Sequence, residues 1–308
     1  MINTIGTILR RERNSRGITQ ERLCEGICTP GWLSKIENGT RMPDAVIAEA
    51  LLKRLGLEPH QYIRYTSEEE LEIHNLKYLI RKCHGFSEDA KEHFIRLKQL
   101  WKDKQLHAID KQFLILGETI FEKEAQPQSA LESFVEAIHL TRPSFDKEKI
   151  CTYLLSDEEI IIINNIALNQ NSLGNREEAV DLLSCLKEYM EKTKMDYESR
   201  RRTYPLVLFN LARWQREKGA HAACLENCEK GIEFCKKYNM LFLFPNFLFH
   251  KGCALASLGV REEICSYFSA SYRLFRILDQ PLRAEEGRKY VEETYGIRFS
   301  TEDSMGSA

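Results

Sequence analysis

A chain of 308 residues, with 43% hydrophobic and 29% charged residues, has room for two domains and an ordinary globular make-up, which excludes a lone small module and a long disordered chain. No apolar run reaches the ~18 residues of a membrane span and the start has no apolar signal core, so a cytoplasmic protein without a membrane partner is expected. The net charge of −2 divides unevenly: residues 1–65 hold 10 Lys/Arg against 7 Asp/Glu, a net of +3, and the remainder carries −5. That is the balance of a phosphate-contacting head on a body that does not touch nucleic acid.

In the head, Ile5, Ile8 and Leu9, then Ile18, Leu23, Ile27, Leu33 and Ile36 recur at helical spacing, broken by turn signals at Arg16-Gly17 and Cys28-Thr29. Thr19 is placed to cap a short helix, with Arg22 where a full capping box would carry Glu or Gln. Thr29 before Pro30 opens a helix that runs to Glu37 and stops at Asn38-Gly39, because Pro in the first turn loses no needed N–H. A further helix runs from Asp44, as N-cap, to Leu55, with Gly56 as its stop.

The runs Leu9-Arg10-Arg11-Glu12-Arg13, Gly17-Ile18-Thr19-Gln20-Glu21-Arg22-Leu23, Trp32-Leu33-Ser34-Lys35-Ile36-Glu37-Asn38-Gly39 and Arg41-Met42-Pro43 resemble the helix-turn-helix of the phage-repressor (Cro/cI, or XRE) family. The resemblance covers a fifth of the chain. It implies that Arg13 pairs with Glu37, that Gln20 anchors a phosphate or reaches a base, and that the third helix enters the major groove of operator DNA. Here the first exposed positions of that helix are Pro30 and Gly31, which cannot read a base edge. Readout therefore falls on Lys35, Ser34, Trp32 and Thr29, with Thr19 beside Gln20 completing the DNA set. Asn38, Arg41 and the Gly39 backbone would contact phosphates. Trp32 has an alternative role as a wedge against a neighbouring helix, and Lys35 as a solvated surface lysine.

After Tyr65-Thr66-Ser67 the pattern is helix after helix, and its internal repeats suggest how those helices pack. Ala167, Gly174 and Ala179 match Ala212, Gly219 and Cys224, and again Gly252, Gly259 and Ile264, so that a small residue lies seven before each turn glycine. A weaker copy holds Ala130, Phe134, Ala137 and Pro143, and Leu71 to Cys83 with Glu88 to Trp101 reads as one more helix pair. The arrangement resembles the tetratricopeptide (TPR) repeat, with glycine spacings of 45 and 40 residues. The expected fold is all-α: a helix-turn-helix DNA-binding domain at 1–66, a TPR-like right-handed α-solenoid for ligand binding and dimerisation at 67–300, and a flexible tail at 301–308.

Such a solenoid lines its concave face with the first helix of each pair. Those positions are Asn164, Asn165, Leu168 and Asn171; Phe209, Asn210, Arg213 and Arg216; and Asn246, Phe249, His250 and Cys253. An Asn side chain bonds both C=O and N–H of an extended backbone, an Arg holds a carboxylate bidentately, and Phe supplies apolar pockets. Each Asn taken singly also fits a cap or an inter-helix bond. Cys224, Cys228 and Cys235 share one helix face as small buried thiols, and neither Cys83-His84 nor Cys24 with Cys28 has further ligands at zinc spacing. With no Gly-rich phosphate loop, nucleophile elbow or histidine cluster, an enzyme, a metal and a cofactor are not expected. Head and body together resemble the peptide-pheromone-responsive regulators of the Rap, Rgg, NprR, PlcR and PrgX group. That resemblance implies a homodimer whose concavity receives a short linear peptide; the rival reading gives the body a folded protein partner.

Overall fold

The computed structural model describes residues 5–59, 68–82, 87–121, 126–195, 197–260 and 263–300. The expected tail at 301–308, the boundary near residue 66 and the Cys83-His84 pair lie outside them. The described residues form helices and connecting turns, without strands. None of these helices is long and apolar enough to cross a membrane.

The head consists of α1 (Ile5–Ser15), α2 (Gln20–Cys24), α3 (Pro30–Glu37) and α4 (Ala45–Arg54). Its ends are set by the residues that sequence pattern picks out. Thr19 and Thr29 hydroxyls accept the Arg22 and Trp32 N–H groups at 3.2 Å, and the Asp44 carboxylate accepts that of Ile47 at 2.9 Å. Each bond satisfies a donor that the first turn of a helix leaves open. Leu9, Leu23, Leu33, Ile36, Ile47 and Leu51 close the core, and Leu154, from far along the chain, packs into the same cluster. Gly6 lets α1 and α3 touch backbone to backbone, since a Cβ there would lie 1.8 Å from the Ile36 carbonyl oxygen.

Helix pairs follow: α5 (Glu68–Lys82) on α6 (Glu88–Trp101), α7 (Ala108–Phe121) on α8 (Pro127–Thr141), and α9 (Asp157–Ser172) on α10 (Arg176–Lys192), with a 3-10 turn at Lys147–Thr152. Then come α11 (Tyr197–Glu217), α12 (His221–Lys237), α13 (Phe244–Ser257), α14 (Ile264–Ile277) and α15 (Pro281–Tyr295). The chain divides into two compact units, residues 1–203 and 204–308, at a point inside α11 just before Pro205.

The repeat signature is structural. Ala167, Ala212 and Gly252 are buried, as are Ala179, Cys224 and Ile264, and Gly174, Gly219 and Gly259 take positive φ of 92°, 78° and 78°. A Cβ on Gly252 would lie 2.6 Å from the Phe268 ring, so the small residue admits its neighbour's aromatic side chain. Ala130, Phe134 and Ala137 are buried on α8 as the weaker copy predicts. Its partner α7 and the 3-10 turn carry no repeat signature. Cys224, Cys228 and Cys235 are buried, whereas Cys151 and Cys265 are exposed.

Candidate functional site

One carboxylate ties the first three helices together. Arg13 donates Nε to Glu37 Oε1 at 2.7 Å and Nη2 to Oε2 at 2.8 Å, and its Nη1 reaches the Ile18 carbonyl at 2.8 Å. Gln20 Nε2 also donates to Glu37 Oε2, at 2.8 Å. Burial pushes the Glu37 carboxyl up, but the hydrogen bonds from Arg13 and Gln20 and the Arg13 charge outweigh it and hold the pKa below its ordinary value. The pair is thus the one the resemblance implies. Gln20 spends one N–H on it and has a carbonyl oxygen and a second N–H besides.

Around this knot α3 turns a polar face outward. Pro30, Gly31, Lys35, Asn38, Gly39 and Arg41 are exposed, as are Thr19 and Thr29 with their hydroxyls on the helix caps, while Gln20 and Ser34 are half-buried. Trp32 is half-buried against the head core, with the Arg41 guanidinium 5.6 Å from its ring. That geometry suits the wedge as well as a sugar contact. Arg10, which sequence reasoning passed over, donates to Asn38 Oδ1 at 3.2 Å and sets a third cation at this face. Its position three residues before Arg13 on one helix was the available signal. Among the described residues, no carboxylate forms an ion pair with Arg10, Lys35 or Arg41.

Elsewhere the head is seated on the helices behind it, within unit 1–203. Glu159 at the start of α9 accepts from the Ser156 N–H at 2.8 Å, the Thr141 hydroxyl at 2.7 Å and Arg142 Nε at 3.0 Å, and lies 3.5 Å from Arg54. Arg142 also donates to the Leu154 carbonyl at 2.5 Å and to Glu25 of the head, and Arg54 donates to the Leu23 carbonyl at 3.0 Å. A second set joins Arg81 to Glu158 at 2.7 Å and to Glu49 of α4 at 3.3 Å. Burial presses the Arg54 pKa down to about 10, opposed by Glu159 and Glu25, so the guanidinium stays charged at neutral pH. Gly26, with φ of 70°, brings the head's turn so close to α8 that a Cβ would sit 1.7 Å from the Thr141 carbonyl oxygen.

The residues assigned to a concave face are placed unequally. Asn164 is buried, Asn165 Nδ2 donates to the Ile161 carbonyl of its own helix at 2.8 Å, and Asn171 Oδ1 accepts from Arg176 at 3.0 Å. In unit 204–308, Asn210 and His250 are buried while Asn246, Phe209, Phe249, Arg213 and Arg216 are half-buried. There Phe209, Arg213, Arg216, Phe249 and His250 form one aromatic and basic cluster.

Residues 4–61 match a family described as a helix-turn-helix domain. The head is a helix-turn-helix domain. A search of curated proteins by sequence finds no match. Among solved structures, Bacillus thuringiensis PlcR in complex with the peptide PapR7 and DNA matches with a TM-score of 0.54 and 17% identity, over 92% of this chain and 98% of that one. Its apo form gives 0.57 and 17%, over 93% and 98%. ComR from S. thermophilus, in complex with DNA and its signalling peptide ComS, gives 0.55 and 15%, over 96% and 100%. The chain therefore shares their fold, a helix-turn-helix domain followed by helical repeats.

Proposed function

We propose that this protein is a cytoplasmic, homodimeric transcription regulator. Its helix-turn-helix domain, residues 1–66, reads operator DNA, and its helical-repeat body, residues 67–300, takes a short linear peptide that alters dimer geometry and so operator binding. The observation that carries the DNA half is the cation-bearing face of α3: Lys35, Arg41 and Arg10 stand at a helix fixed by the Arg13–Glu37–Gln20 knot, and none of the three is in an ion pair among the described residues. In this reading Lys35 contacts a guanine edge, Ser34, Thr29 and Gln20 add polar contacts, and Thr19, Asn38 and Arg41 fix the register on phosphates. The aromatic and basic cluster of α11 and α13 supports a peptide site, and the shared fold with PlcR and ComR, both solved with peptide and DNA, supports the pairing of the two ligands. Asn246, half-buried in the same unit as this cluster, would bond the peptide backbone.

The test is selection from randomised duplex DNA with the full-length protein, alongside mass spectrometry of peptides that co-purify from native lysate. An enriched two-half-site sequence and a recurrent peptide of fewer than about twelve residues are expected. Absence of any enriched sequence would overturn the DNA assignment. Recovery of a stoichiometric folded protein, with no peptide, would replace the peptide assignment.

A further inference from the structure

Unit 204–308 contains a charge arrangement that DNA contact leaves unused. On the last turns of α11, Arg213 and Arg216 stand three residues apart and so share a face. Arg216 Nη1 donates to Tyr290 Oη on α15 at 2.5 Å, with the guanidinium 5.0 Å from the ring centre. His250 on α13 lies near the rings of Phe209 and Phe249, 5.7 and 5.5 Å between centroids. It is 6% exposed, and its Nδ1 is buried with no hydrogen-bond partner among the described residues.

Arg216 is the cation of this cluster that meets Tyr290. The groups nearest in effect to Arg216 are Cys253, Tyr290 and Tyr295, none of them a carboxylate, and its buried Nε has no partner among the described residues. Burial first, then Arg216 and Arg213, press the His250 imidazole down to about 3, so it is neutral at physiological pH. A guanidinium drawn part-way out of water is costly until an anion meets it, and its planar fork matches a carboxylate. Tyr290, whose oxygen accepts from Arg216, keeps its own proton to donate. We infer that Arg216 and Tyr290 form the seat of a ligand carboxylate, with Phe209 and Phe249 beside it for the adjoining apolar group; the carboxylate belongs to the short peptide proposed for the body, and the inference rests on that reading.

Two kinds of probe separate the seat from the peptide. The first is 3-phenylpropionate against its amide, followed with full-length protein by NMR of the His250 ring. At neutral pH the acid is expected to shift the His250 signals saturably, since its carboxylate meets Arg216 beside the ring, and the amide to leave them unchanged. Arg216→Met should weaken the acid at least tenfold and Arg216→Lys less, with Tyr290→Phe as the milder variant should Arg216→Met unfold the unit. The second probe is three synthetic heptapeptide pools of Leu, Ile, Val, Phe and Pro: free acid, C-terminal amide, and amide with one Glu. Retention of the free acids alone identifies the α-carboxylate, and retention of the Glu amides identifies a side chain. Equal retention of all pools, unchanged in Arg216→Met, overturns the seat and leaves the peptide reading standing. Phenylpropionate binding without pool retention keeps the seat and overturns the peptide. Failure of both probes overturns both.

Discussion

Replacing Arg142 by Met removes the centre of the seat beneath the head while keeping an aliphatic stem of similar length. The Arg142 side chain, 1% exposed, donates to Glu159, to the Leu154 carbonyl and to Glu25. Without it Glu159, equally buried, keeps the Thr141 hydroxyl, the Ser156 N–H and an Arg54 nitrogen 3.5 Å away, but loses its closest cation. Breaking a buried pair from one side costs about 3 to 5 kcal/mol, because the remaining charge stays out of water. Glu25 differs, since its side chain is 41% exposed and water replaces the lost contact. Truncating it to Ala costs about 0 to 1 kcal/mol. In a unit of this size each kcal/mol moves Tm by about 2 to 4 °C, so Arg142→Met should melt about 6 to 20 °C lower and Glu25→Ala within about 4 °C of the parent. Circular dichroism melts of the full chain give the totals, and hydrogen exchange at α2 and α3 amides tells whether the head is the part released. Equal losses for both variants, or none for Arg142→Met, would refute the argument from burial.

Lys35→Ala should lose about 1 to 3 kcal/mol of discrimination between operator and random duplex while the fold persists; fluorescence anisotropy at fixed salt reads this, and an unchanged ratio removes Lys35 from base readout. Glu37→Ala strands Arg13 and frees Gln20, so the head should lose about 3 kcal/mol, visible as faster exchange of α1 and α3 amides. The acid limb has a definite sign. Burial pushes the Glu158 carboxyl up, but Arg81, Lys53 and Lys77 overcome this and hold it at about 2 against an ordinary 4.5. A depressed carboxyl pKa stabilises the fold fully above its ordinary value, and the gain of about 3 kcal/mol fades as pH falls from 4.5 towards 2. Glu158→Gln should therefore be less stable than the parent at pH 6, with the two converging near pH 2 in urea titrations; a constant difference across that range would contradict it.

The elements that could be read from sequence are those whose causes are local. Thr19, Thr29 with Pro30, Asp44 and the turn glycines each act within four residues, so the boundaries of α2, α3 and α4 follow from the text of the chain. The small residues Ala167, Ala212 and Gly252 were readable because they repeat in phase. The seat was not, because its partners are far apart: Arg81 meets Glu158 across 77 positions and Arg142 meets Glu25 across 117. Locally, Glu158 and Glu159 are the acidic first turn of a helix and Arg54 and Arg81 the basic last turns of theirs, which helix ends ordinarily carry for the macrodipole. For the same reason the recurrence of Asn did not distinguish side chains that bond their own helix, as Asn165 does, from those left to bond elsewhere.

Leu154 in the core of the head, and Glu159 beneath it, have a consequence for how the protein is made. The last described residue of the head is 59, yet a wall of its core and a counter-ion of Arg54 lie about a hundred positions downstream. At synthesis rates of about 5 to 20 residues per second, the N-terminal segment waits roughly 5 to 20 s after its own completion before those partners leave the ribosome. The head therefore emerges before α5 to α8 but is finished only after them, and through that interval it presents an uncovered apolar side and a guanidinium without Glu159 to whatever binds nascent chains.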